Sequence, residues 1–133
     1  MLNWRDRLHP RAGGAEVRLH RIYSPMVAAG HRVILISSRW EGASPYEVVD
    51  GIDVYRIGKD WNFPLLCMLL LRWWIKKHQI DIVVEDFNKL PFFTPLISNR
   101  PLLVQMHHLW KGSIFREANF LLALFIWFSE QSL

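Results

Sequence analysis

Apolar and polar positions follow two rhythms along this chain. From Ala15 onward, Ala15, Leu19, Ile22, Met26 and Val27 recur at helical spacing. Pro25 falls inside that pattern. It is expected to kink the helix near Ile22 or end it early, at a cost of about 3 kcal/mol if it stays interior. Gly30 is a fitting C-terminal stop. Arg32 to Ser37 (RVILIS) is a short, almost continuous apolar run, as in a strand buried on both faces. A loop with Gly42 and Pro45 follows. Glu47 to Asp50 then reads as a short strand, Asp50-Gly51 as a turn, and Ile52 to Ile57 (IDVYRI) as an alternating strand, which together predict a hairpin. Trp61 to His78 is the most apolar stretch. Asn62 can cap a helix there, Pro64 suits its first turn, and Lys76, Lys77 and His78 suit its negative end. Ile80 to Glu85 (IDIVVE) is another buried-strand run, Pro101 to Met106 (PLLVQM) reads as the next strand, and Leu90 to Ile97, with Pro91 and Pro95, allows a short helix or turn at most. Arg116 to Leu133 is helical in pattern and very apolar. Met1 to Asn3 read as the last residues of a strand.

This alternation of strands and helices predicts an α/β fold with a mainly parallel sheet. The 133 residues suit a single domain, and the 51% hydrophobic content is enough for a core. Seven Trp and eight Phe are many for this length, so some are expected to face a ligand, a partner or a membrane surface. No apolar run reaches the length of a membrane span. The Trp73-Trp74 pair beside Arg72 and Lys76 suits core packing first and the membrane interface second. A net charge of +4 favours phosphates or an anionic membrane surface. The basic residues are scattered and match no nucleic-acid motif, so no nucleic acid is expected. The single cysteine, Cys67, excludes an internal disulfide and a cysteine metal cluster, and its apolar neighbours predict a buried, inert thiol. The start MLNWRDRLHP lacks the apolar core of a secretory signal, from which a cytoplasmic location is expected.

Three places carry candidate chemistry. The polar stretch Asn3 to Glu16 ends in Gly13-Gly14 immediately before a helix, where free backbone N–H groups and the positive end of the dipole suit an anion. Such glycine pairs are also simple tight turns, and neither GxGxxG nor GxxxxGK[ST] is present. Glu85 and Asp86, followed by Asn88 and Lys89, stand at the end of a predicted strand, where open parallel sheets bind ligands; a solvated connecting loop is the other reading. His107 and His108 follow the last strand. Adjacent histidines make a poor metal site, and hydrogen bonding to a sugar or phosphate suits them better.

Five blocks taken together resemble the N-terminal domain of family 4 glycosyltransferases: NWRDRLHPRAGGAE at 3–16, AAGHRVILISSRW at 28–40, VVDGIDVYRIG at 48–58, IDIVVEDFNKLPFFTP at 80–95 and VQMHH at 104–108. These are retaining enzymes with two facing Rossmann-like domains that use nucleotide-sugar donors. The resemblance implies a Rossmann-like three-layer domain over 1–133, with its first strand nearly missing, truncated at the C-terminus and lacking the donor-binding domain. It implicates Gly13, Gly14 and Glu16 in binding the donor diphosphate. It points to Glu85, Asp86, Asn88 and Lys89 for the acceptor, and to His107 beside the reacting sugar. Arg5, Asp6 and Arg11 are candidates for acceptor or phosphate contacts or for a structural role. No metal and no cofactor beyond the nucleotide-sugar co-substrate are expected.

Two function classes follow. The first is the acceptor-side part of a sugar transferase, inactive alone, whose partners are a nucleotide-sugar, a sugar or lipid-linked acceptor, and a C-terminal domain or partner chain. Its location would be cytoplasmic, at the inner face of the membrane if it makes peripheral membrane contact. The second is a non-catalytic α/β remnant that binds a partner domain or a membrane surface. A nucleotide-binding α/β protein of another class is a third, weaker reading.

Overall fold

The computed structural model describes residues 1–87 and 92–106, with positions 120, 124 and 127. Its sheet is joined at the very start of the chain. Leu2 bridges in parallel to Ile36 on one side and to Glu85 on the other. Its N–H donates to the Val84 carbonyl at 2.8 Å, and its carbonyl accepts the Asp86 N–H at 2.9 Å. The Met1 carbonyl accepts the Ile36 N–H at 2.9 Å. Met1 to Asn3 thus do the work of a central strand, as their sequence suggests.

Strand β1 (Ile34–Ser38) pairs in parallel with β3 (Ile52–Ile57), and β3 pairs antiparallel with the edge strand β2 (Tyr46–Val49). Beyond Leu2, β4 (Val83–Phe87) pairs in parallel with β5 (Leu102–Met106). The order across the sheet is therefore β2, β3, β1, Met1–Asn3, β4, β5. The β2–β3 turn has both central residues at positive φ, Asp50 at 53° and Gly51 at 80°. That is the two-residue hairpin geometry which Asp-Gly favours.

Helices cover both faces, giving three layers and a Rossmann-like α/β fold. On one face α1 (Gly14–Ala28) packs Leu19 and Tyr23 against Val33, Leu35, Ile52, Val54 and Val84. On the other, α2 (Phe63–His78) packs Phe63, Cys67, Leu71, Trp74 and Ile75 against Leu2, Ile34, Ile36 and Val83. The short α3 (Thr94–Ile97) lies beside α2, where the Arg72 Nε donates to the Ile97 carbonyl at 3.0 Å. Cys67 is buried, and that burial pushes its thiol well above the ordinary range, as expected of an inert group.

Four details differ from the sequence pattern. α1 runs through Pro25 to Ala28. The carbonyl that loses its donor is that of Arg21, an exposed residue on the solvent side of the helix. The buried face of α1 is Glu16, Leu19, His20 and Tyr23, while Ile22 and Met26 are exposed. The Asn62 carboxamide does not cap α2 but turns back to accept the Lys59 N–H at 2.7 Å. Strand β4 begins at Val83, because Ile82 lies outside the ladder and is exposed. Gly30 ends α1 as expected: at φ 93° it donates to the Val27 carbonyl, and His31 donates to that of Met26. The helical pattern at 116–133 falls outside the described residues except at 120, 124 and 127, each of which is helical.

Candidate functional site

The C-terminal ends of Met1–Asn3, β1 and β3 lie side by side, so the loops that follow them meet at one edge of the sheet. Such an edge is where parallel α/β sheets take ligands. A salt bridge beneath the loops fixes them. Asp6 and the Arg56 side chain are fully buried, and the pair is bidentate, with Nε at 2.7 Å and the second terminal nitrogen at 3.1 Å. Asp6 also accepts the Leu8 N–H at 2.9 Å and the Ser37 hydroxyl at 3.1 Å. Burial alone would raise the Asp6 carboxyl, but the Arg56 and Leu8 hydrogen bonds outweigh it and hold the group below the ordinary range. Arg56 further reaches Glu47 at 2.9 Å and the Ser44 carbonyl at 3.1 Å, and its guanidinium stacks 4.5 Å from the Trp40 ring centroid. One residue pair therefore ties the 4–13 loop to β3, to β2 and to the loop after β1. Of the two roles open to Asp6, the structural one is observed.

Above this base the loops enclose an open cleft of about 710 Å³. His9, Arg11, Trp40, Lys59, Asp60 and Trp61 line it. Trp40 is held from below by Arg56 and edge-on by His9, with ring centroids 5.1 Å apart. His9 Nδ1 accepts the Arg11 N–H at 3.0 Å, which leaves its proton on Nε2. Burial and the nearby Arg5 charge lower its pKa, so the ring is neutral near pH 7. Asp60 pairs with Arg11 and receives the Ser38 hydroxyl at 2.6 Å. Its burial raises the carboxyl pKa, but Ser38 and the cations lower it further, and the group is ionised. Trp61 is 81% exposed at the rim. Gly58 permits this geometry: it sits at φ 59°, and a Cβ there would come within 2.5 Å of Leu66 and 2.6 Å of Asn62. Two indole faces beside a carboxylate, a cation and an imidazole make a surface suited to a polyhydroxylated ring, with aromatic contact to its C–H face and hydrogen bonds to its hydroxyls.

The glycine pair lies two residues beyond Arg11. Gly13 is the N-cap of α1, and its N–H donates to Glu16 Oε2 at 2.7 Å. Glu16 is buried, so it holds the loop onto the helix and is not open to a ligand. A Cβ at Gly14 would meet nothing within 4 Å, so the start of α1 is open to solvent on that side. Glu85 and Asp86 point to opposite faces of β4, as neighbours in a strand must. Glu85 is buried against the α2–α3 layer, accepting the Phe92 N–H at 2.8 Å and the Thr94 hydroxyl. Asp86 is buried on the α1 side, where burial first and its carboxylate second raise the Tyr23 phenol. Neither lines the cleft. Asn88, Lys89 and His107 lie outside the described residues. Among the described residues no group of His, Cys, Asp and Glu is arranged to hold a metal ion.

Sequence reasoning weighed Arg11 but missed His9, Trp40, Lys59, Asp60 and Trp61. The signal was available: polar and aromatic residues follow the runs that end at Ser37 and Ile57, as they follow the other strands. The Glycosyltransferase Family 4 model matches residues 12–133. The chain belongs to glycosyltransferase family 4. The match spans the glycine pair and the cleft loops after β1 and β3. No curated protein and no solved structure matches the chain.

Proposed function

We propose that this family 4 glycosyltransferase domain holds the acceptor of a retaining transfer from a nucleotide-sugar. The acceptor, a sugar or a lipid-linked sugar, sits in the cleft between Trp40 and Trp61. The observation that carries this reading is the pairing of aromatic faces with Asp60, Lys59 and His9 at the C-terminal edge of a parallel sheet. The Asp60 carboxylate and the neutral His9 ring hydrogen-bond acceptor hydroxyls and orient them. That orientation brings the reacting hydroxyl to the anomeric carbon and supplies the proximity part of the rate.

The donor diphosphate lies at the start of α1, where the Gly14 face is open and the first N–H groups of the helix supply positive potential. These groups stabilise the charge that develops on the leaving diphosphate. Glu16 acts as a positioning residue through Gly13. His107, next in sequence after β5, is proposed to lie beside the reacting sugar. A donor-holding domain, in the same protein or as a partner chain, completes the site, and the domain described here is inactive without it. The resemblance noted in the sequence supports retention, and no protein nucleophile is assigned.

The test is transfer of radiolabelled sugar from a panel of nucleotide-sugars to glycan and lipid-extract acceptors, with the chain alone and with an added family 4 donor-side domain. Transfer is expected only with the added domain, with the anomeric configuration of the donor retained. Transfer with inversion, or none in either case, overturns the reading.

A further inference from the structure

Helix α2 buries one side against the sheet and leaves a continuous apolar stripe on the other. Leu65 is 56% exposed, Leu69 68% and Trp73 50%, at steps of four residues, with Met68 beside them at 37%. Trp61, at the cleft rim, is 81% exposed in the turn just before α2. Leu96 on α3 is 79% exposed and immediately precedes the residue whose carbonyl Arg72 bonds. A stripe of this kind marks an interaction surface. Its charge is equally one-sided. Arg72, Lys76 and Lys77 are exposed around its C-terminal end, and α2 contains no Asp or Glu. The Lys77 ammonium sits 4.4 Å from the Trp73 ring centroid, so the cation is carried on the apolar surface itself.

We propose that this face of α2 docks on an anionic lipid bilayer. The leucines and Met68 enter the boundary between headgroups and acyl chains. Trp61, just before the helix, and Trp73, on the stripe, take the interfacial level that indoles prefer. Arg72, Lys76 and Lys77 meet the anionic headgroups. Among the described residues no helix is long and apolar enough to cross a membrane, so the helix lies in the plane of the surface. Because Trp61 stands exposed in the turn that leads into α2 and also lines the cleft, docking through this face brings the cleft mouth to the lipid surface. That deepens the acceptor reading by favouring a lipid-linked acceptor, and it rests on that reading for this step alone.

The test is co-sedimentation of the full chain with vesicles of phosphatidylcholine, with and without phosphatidylglycerol. Binding is expected with the anionic vesicles and is lost at high salt. Replacing both Lys76 and Lys77 by Gln lowers the partition coefficient about 30-fold, taking about 1 kcal/mol per basic residue. Leu69→Glu abolishes binding and leaves the thermal unfolding midpoint unchanged. Three results overturn the proposal: no binding to anionic vesicles, Leu69→Glu binding like the parent, or Leu69→Glu unfolding several degrees lower. The last means that the stripe packs on protein. Binding of water-soluble glycans to the cleft is measured without lipid, so failure of the acceptor reading is seen separately.

Discussion

Removing the Asp6 carboxylate tests the base on which the cleft stands. Asp6→Ala deletes four hydrogen bonds, two of them to Arg56 at 2.7 and 3.1 Å. The Arg56 guanidinium stays buried with Glu47, itself 44% exposed, as its remaining ionic partner. Breaking a buried pair from one side costs about 3–5 kcal/mol, because the surviving charge is left in low dielectric. With a urea m-value of about 2 kcal/mol/M, the midpoint falls by roughly 2 M. Asp6→Asn keeps the shape, yet its NH₂ must face donors at either oxygen position, so it also destabilises. The diagnostic is the double variant Asp6→Ala/Arg56→Met. With no orphaned charge, it is expected to be more stable than Asp6→Ala alone. The assay is urea unfolding followed by tryptophan fluorescence. A loss below about 1 kcal/mol for Asp6→Ala, or strict additivity in the double variant, refutes the reasoning.

The Asp6 carboxyl is held below its unfolded pKa, so its contribution is present above that value and is lost as pH falls through the folded value; acid titration of Asp6→Asn should lack this step. His20 has the opposite chemistry: burial lowers its pKa below 6.5 despite the Asp50 carboxylate 3.0 Å from Nδ1, so the unfolded state binds the proton more tightly. Stability therefore falls as pH drops below about 6.5, and His20→Gln should flatten that slope in urea midpoints compared at pH 7.5 and 5.5. Gly58→Ala should cost about 1–3 kcal/mol, from positive φ and overlap with Leu66 and Asn62, read as a lower unfolding midpoint. Gly14→Trp should leave that midpoint within about 0.5 kcal/mol of the parent, since its Cβ meets open space, while blocking transfer by the two-domain enzyme; full transfer in this variant would remove the diphosphate from the start of α1.

Much of the architecture was legible because each strand leaves a short apolar run, continuous where both faces are buried, as in β1 and β4, and alternating in β3. RVILIS, IDVYRI and PLLVQM each map onto a strand with ends within a residue or two. The hairpin was legible from Asp50-Gly51, whose turn needs two positive φ values. The misjudged details are those decided by tertiary context. Periodicity alone favoured Ile22 over Tyr23 as the buried residue of α1, but Tyr23 packs on the core and Ile22 faces solvent. Pro25 is tolerated because its missing bond falls on the wet side. Asp6 and Arg56 are fifty positions apart and carry no local pattern, so their pairing was invisible. The cleft was missed for a related reason: His9, Trp40 and Trp61 come from three loops that only the sheet order brings together.

An NMR titration of the tryptophan indole N–H resonances reads sugar binding at the cleft itself. The chain has seven tryptophans, so each signal is assignable by single Trp→Phe variants. Titration with a panel of soluble mono- and disaccharides should shift Trp40 and Trp61, which line the cleft, and leave the core residue Trp74 in place. Glycans that shift no indole at saturating concentration, or that shift Trp73 and Trp74 and not the cleft pair, would contradict the account.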